Sequence, residues 1–140
     1  MYELTTVERD AMAWLLAGDH PHLETMRKQF AECKVSQRYF TGVGFFTTFE
    51  LENEELRLRP LRNFTLGDVN ADIEDLEFGC GFLLFVEAGL IKTLECHLWA
   101  DDELPRNASF TRFYYTHQPN PPGIEEAETR DMARIARLIG

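Results

Sequence analysis

Serine, cysteine and basic residues are scarce in this 140-residue chain. The serines are Ser36 and Ser109, and neither lies in the Gly-x-Ser-x-Gly arrangement that exposes a nucleophilic serine on a strand-to-helix turn. The 3 cysteines are widely spaced and odd in number, so they predict neither a disulfide framework nor a zinc site. We expect free, buried thiols in a reducing, cytoplasmic compartment, at Cys33, Cys80 and Cys96.

Long apolar runs are also missing. No stretch approaches the roughly 18 consecutive apolar residues that a transmembrane helix requires. The acidic, polar segment Met1–Met12 does not have the pattern of a signal peptide. The sequence contains no EF-hand loop and no phosphate-binding glycine motif, so we expect no metal and no cofactor.

Positively charged residues are few. The chain has 14 Lys and Arg against 24 Asp and Glu, which gives a net charge of -10. Such a surface repels phosphate backbones and anionic lipids, so we expect no binding to nucleic acid or to membranes. The same charge raises the rate of encounter with a basic protein. Hydrophobic residues make up 44% of the chain, which is enough to form a globular core.

The segment Phe78–Trp99 is central to the predicted fold. Its two apolar arms, Gly81–Glu87 and Leu90–Trp99, flank the dipeptide Ala88-Gly89. A two-residue connection ending in glycine is typical of a tight hairpin turn, because glycine tolerates positive φ. We therefore predict one long antiparallel β-hairpin.

Helical periodicity comes before this hairpin and returns after it. Apolar side chains recur at helical spacing over 6–17 and 22–33, and Thr5 with Glu8 has the pattern of a capping box. Alternation of side chains predicts a strand at 45–51. Two short strand-like pieces at 64–66 and 69–73 are explained by one bent strand, and 110–117 is predicted to be the last strand. The glycine-rich segment Thr41–Phe45 predicts a bulge or a sharp bend within a strand.

The tail 124–139 is predicted to be helical, because its acidic residues come first and its arginines last. The order of elements predicts an α+β fold with two N-terminal helices, a curved antiparallel sheet and a C-terminal helix. We divide the chain into a single α+β domain at 1–118 and a linker with a helical extension at 119–140.

Glu95 and His97 are the residues with the best pattern for acid–base chemistry. Two residues apart on the second arm, they share one face of the sheet. If Ala88-Gly89 is a two-residue turn, that face also carries Phe82, Leu84 and Val86. An imidazole that titrates near neutrality and a carboxyl raised in pKa by burial could exchange protons there. An outward-facing polar pair, or a satisfied buried one, is the commoner explanation.

Carboxylates are concentrated between residues 68 and 77, where the chain reads DVNADIEDLE. The spacing does not match a calcium loop. A solvated acidic edge explains it most simply. A second interpretation is a docking edge for a basic protein, carried by Asp68, Asp72 and Asp75.

Three motifs resemble those of a group of small bacterial proteins of uncharacterised function. They are FTGVGFFT at Phe40–Thr47, GDVNADIEDLE at Gly67–Glu77 and GFLLFVEAGLIKTLE at Gly81–Glu95. The resemblance covers Val7–Trp99. It implies a bacterial cytosolic protein and no catalytic residue. The segment from Gln118 onward is an extension relative to that group.

Three hypotheses for function follow. The favoured one is a non-enzymatic acidic module, immunity-like or regulatory, that binds a basic protein. The second is a small-molecule binder or a lyase- or isomerase-type enzyme with a sheet-face pocket around Glu95 and His97. The third is a structural homo-oligomer, with the C-terminal helix or a sheet edge at the interface.

Overall fold

The computed structural model describes residues 2–117 and 125–140. Two helices, α1 (Thr6–Leu15) and α2 (Pro21–Glu32), precede an antiparallel sheet of seven strands, and helix α3 (Met132–Ile139) follows it. The sheet order is β1-β2-β5-β4-β3-β6-β7. The predicted α+β fold is confirmed. The strands are β1 (Lys34–Phe40), β2 (Gly44–Glu50), β3 (Phe64–Ile73), β4 (Cys80–Glu87), β5 (Leu90–Leu98), β6 (Phe110–His117) and β7 (Glu125–Ala127).

The N-terminal helices cover one face of the sheet. The predicted capping box begins α1: the Thr5 hydroxyl accepts from the Glu8 amide at 3.2 Å, and Glu8 Oε1 accepts from the Thr5 amide at 2.8 Å. Helix and sheet side chains form one core, which includes Met12, Leu15, Leu23, Met26, Phe82, Leu84 and Leu94. In the described parts of the chain, no helix is long and apolar enough to cross a membrane.

The predicted hairpin is confirmed as β4 and β5. Ala88 and Gly89 both have positive φ, at 48° and 79°. Positive φ at both central residues is the mark of the turn whose twist matches that of the flanking strands. The predicted single bent strand is also confirmed, because β3 runs through a register shift between Leu66 and Val69.

One prediction about the hairpin is wrong. Phe85 pairs with Thr93 and Val86 with Ile91, which leaves Lys92 as an extra residue in β5. Such a bulge reverses the alternation of faces beyond it. The side chains of Phe82, Leu84 and Val86 therefore lie in the helix-covered core and do not share the face of Glu95 and His97.

Two further expectations are corrected. Thr41–Val43 connects the separate strands β1 and β2, rather than forming a bulge inside one strand, and Gly42 has a φ of 92° there. The C-terminal helix is shorter than predicted, since Glu125–Ala127 forms β7 against β6. The outer edge of β6 offers unpaired backbone N–H and C=O groups, and these three residues pair with them.

Helix α3 begins at the cap residue Asp131, whose carboxylate accepts from the Arg134 amide at 3.1 Å. Its side chains Ile135 and Ile139 are buried in the core. The proline-rich linker predicted at 118–123, and the predicted helix start at 124, lie outside the described residues.

Candidate functional site

The β3–β4 turn (74–79) and the β5–β6 loop (99–109) meet at one end of the sheet. They meet because β4 begins where its antiparallel neighbour β5 ends, with Cys80 opposite Leu98. The Trp99 amide donates to the Gly79 carbonyl at 3.2 Å, and the Glu74 amide to the Ser109 carbonyl at 2.9 Å. We call these two segments, with the adjoining β1–β2 turn, the acidic end.

The acidic end carries carboxylates without compensating cations. Its two segments contain six acids and a single basic residue, Arg106. Asp102 is half-buried and the other five acids are exposed. Within 2–117 and 125–140, none of the six forms an ion pair. The six are Glu74, Asp75, Glu77, Asp101, Asp102 and Glu103.

Large apolar side chains are exposed beside these acids. Trp99 is 56% exposed, Phe78 58% and Val43 53%. Tyr39, near the end of β1, is 64% exposed. The Leu98 amide donates to the Val43 carbonyl at 3.0 Å, which holds the β1–β2 turn against β5. Exposed aromatic residues bordered by charge are typical of protein interaction surfaces.

Trp99 is held in place on the open face of the sheet, the one not covered by helices. Its indole Nε1 donates to Oδ1 of the buried Asn70 at 2.9 Å. The imidazole of His97 meets its ring edge-to-face, with 4.6 Å between ring centroids. Gly81 makes this arrangement possible, because a Cβ there would come within 2.6 Å of the Trp99 ring and 2.9 Å of His97. The exposed part of the indole is therefore presented in a fixed orientation.

Glu95 and His97 lie together on that open face, both half-buried. Leu83 is the cross-strand neighbour of Glu95 on β4, and Gly81 that of His97. Neither Glu95 nor His97 lines the cavities of about 360 and 510 Å³ found in the described chain. Burial lowers the pKa of His97 from its ordinary value, and the charge of Glu95 opposes this in part. The His97 Nδ1 is buried without a hydrogen-bond partner among the described residues.

The three acids predicted to form a docking edge have different surroundings. Asp68 is 3% exposed and receives two hydrogen bonds from Arg130. Asp72 accepts from Arg112 Nε at 2.8 Å. Asp75 is exposed in the β3–β4 turn, at a φ of 70°. Because both carboxylate oxygens of the buried Asp68 accept hydrogen bonds from Arg130, Asp68 is not part of the candidate surface.

Sequence reasoning missed the contribution of Phe78, Trp99 and the acids of the β5–β6 loop. The signal was present, since the predicted hairpin pairs the start of its first arm with the end of its second. That pairing brings the acidic turn before β4 next to the acidic loop after β5. Across residues 2–117 and 125–140, no group of three or more His, Cys, Asp or Glu residues is placed to hold a metal ion.

Searches against protein-family models, curated proteins and solved structures found no match to this chain. The resemblance to a group of small bacterial proteins therefore stays a prediction.

Proposed function

We propose that this protein is a non-enzymatic module that binds a basic protein through its acidic end. The observation that carries the proposal is the coincidence of unpaired carboxylates and exposed aromatic side chains on one small area of the surface. Carboxylates held close together repel one another, and a cationic partner relieves that repulsion. Binding of this kind requires no catalytic residue.

The two kinds of side chain have different roles in this proposal. Complementary charge mainly raises the association rate and selects the partner. Binding energy is concentrated in a few aromatic anchors that become fully desolvated. Trp99 fits the role of an anchor, because its indole is already oriented by Asn70 and His97 and loses little freedom on binding. Phe78 is the second candidate anchor.

The proposal is tested by isolating a binding protein and measuring its kinetics. Wild-type protein is used to capture partners from an extract of the cells that produce it, and each captured protein is purified and tested singly by surface plasmon resonance. We expect a partner of basic pI whose association slows steeply with added salt. A triple variant with Glu77→Gln, Asp101→Asn and Glu103→Gln is expected to associate about tenfold more slowly.

A matched control neutralises three exposed acids at the opposite end of the sheet, by Glu50→Gln, Glu55→Gln and Glu87→Gln. This control is expected to keep most of the wild-type association rate. Trp99→Ala is expected to speed dissociation at least tenfold, as loss of an anchor does. A partner that binds the acidic-end triple variant and the control equally well would refute the proposal.

A further inference from the structure

A cavity of about 360 Å³ lies on the helix-covered side, between α1, the ends of β1 and β2, and the chain from Leu104 to Phe110. Its volume is within the range of roughly 300–1,000 Å³ that small-molecule sites occupy. Much of its wall is apolar, formed by Val7, Phe40, Phe45, Leu104 and Phe110. None of the exposed aromatic residues of the proposed docking surface lines it.

One charged group at this cavity is already neutralised. Glu8 is 1% exposed, and its carboxylate accepts from Arg38 Nε at 2.8 Å, from Arg38 Nη2 at 2.7 Å and from the Thr47 hydroxyl at 2.6 Å. The Thr5 amide donates to it as well, at 2.8 Å. With four donors around it, Glu8 has no capacity left to bind a cationic ligand.

Two guanidinium groups at the same cavity keep donors for a ligand. Arg38 uses Nε and Nη2 on Glu8 and on the Glu3 carbonyl, while its Nη1 has no acceptor among the described residues. Arg106 lies over the Phe40 ring, 4.4 Å from the centroid, and forms no ion pair within the described chain. Asp10, exposed at the lining, disfavours a ligand with more than one negative charge.

We infer that this cavity binds a small amphipathic monocarboxylate. Its apolar body packs against Phe40, Phe45 and Phe110, and its carboxylate accepts from Arg106 and from Arg38 Nη1. Guanidinium donors match a carboxylate in both charge and geometry. The cavity shares the β5–β6 loop with the acidic end, but the inference uses neither the acids nor the exposed aromatic residues of that surface, so it does not depend on the proposed binding of a basic protein.

The test titrates ¹⁵N-labelled protein with benzoate and hexanoate, and with the uncharged and cationic analogues benzamide and benzylamine. Both carboxylates are expected to give saturable shifts in the amide signals of Thr6 and Ser109, at the cavity lining. Benzamide and benzylamine are expected to bind at least about tenfold more weakly, because they lack the charge-assisted hydrogen bonds. Absence of saturation with either carboxylate, or equal binding of benzamide, would overturn the inference.

Substitutions at the cavity lining test whether benzoate binds there. Arg106→Gln is expected to weaken benzoate binding by about fivefold to tenfold, since it removes one cationic donor. Arg137→Gln, the matched control, replaces an exposed arginine that does not line this cavity and is expected to leave the affinity unchanged. Ala108→Phe, which fills the cavity, is expected to abolish binding. Arg106 is exposed, so its variant tests the inference even if Ala108→Phe does not fold. Equal benzoate affinity in Arg106→Gln and wild type would refute the site.

Discussion

Asp68 and Asp75 come from the same acidic stretch of sequence, yet their surroundings are opposite. Asp68 is buried and accepts from Arg130 Nη2 at 2.8 Å and from Arg130 Nε at 2.9 Å. The Nη1 of Arg130 reaches further, to the carbonyl of Leu15 at 2.6 Å and of Ala17 at 2.8 Å. Asp75 has no such partner in the described chain and faces solvent.

The difference shows where this acidic protein uses its few cations. A carboxylate taken out of water costs several kcal/mol unless it is paired and hydrogen-bonded. Arg130 and Arg38 are accordingly placed at the two buried carboxylates, Asp68 and Glu8. The exposed acids at the acidic end incur no such cost and form no ion pair within residues 2–117 and 125–140, which keeps them available to a partner.

The largest effect on stability is expected at the buried pair Asp68–Arg130, which joins β3 to the end of α1. Arg130→Met should lower the free energy of unfolding by about 4 kcal/mol, because it leaves Asp68 buried without its counter-charge. Urea unfolding at neutral pH measures the change. Arg137→Met, at an exposed position on α3, is the control and should stay within about 0.5 kcal/mol of wild type. Similar stability of the two variants would show that the Asp68–Arg130 pair does not hold α1 to β3.

Glu8→Gln should lower the free energy of unfolding by about 3 kcal/mol at neutral pH, since Arg38 is then left with an uncharged partner. Burial by itself would raise the pKa of Glu8, but the hydrogen bonds from Arg38, Thr47 and the Thr5 amide outweigh it and lower that pKa. The stabilisation is therefore present above the ordinary pKa of a glutamate and is lost as the pH falls through the lowered value. Unfolding measured at pH 7 and again at pH 3 should show the gap between wild type and variant narrowing. A gap that stays constant would contradict this account.

His97 links stability to pH in a milder way. Burial lowers its pKa, so the unfolded chain takes up a proton at a higher pH than the folded one does. The stability that this group supplies is present above its ordinary pKa of 6.5 and is lost as the pH falls through the lowered value. Between pH 7 and pH 5, wild type should therefore lose more of its free energy of unfolding than His97→Gln does. If the free energy of unfolding changes with pH in the same way in both proteins, His97 is not the source of this pH dependence.

The smallest effect on stability is expected at the acidic end itself. Asp75→Asn should change the free energy of unfolding by no more than about 0.5 kcal/mol, because the side chain is exposed and asparagine also tolerates a φ of 70°. Asp68→Asn, measured alongside it by urea unfolding, should be far more destabilising. Equal losses for the two substitutions would erase the contrast between buried and exposed acids.

Much of the architecture could be predicted because its signals are local. The capping box of Thr5 and Glu8, the positive-φ turn at Ala88-Gly89 and the alternation in β2 all depend on residues a few positions apart. The candidate site was predicted less well. Asp75 was recognised as an exposed acid, whereas Trp99 and Phe78 were not recognised as surface side chains beside it.

Sequence alone determined the two N-terminal helices, the hairpin and the excess of negative charge, since propensity, periodicity and composition are properties of short segments. Tertiary structure decided which face Glu95 and His97 occupy, because the bulge at Lys92 depends on pairing with β4. It also decided that Asp68 is buried and Asp75 is exposed, because Arg130 reaches Asp68 across 62 positions of the chain. Contacts between residues far apart in sequence leave no periodic pattern in any short segment. They form only when folding brings the two residues together, so they cannot be predicted from local sequence.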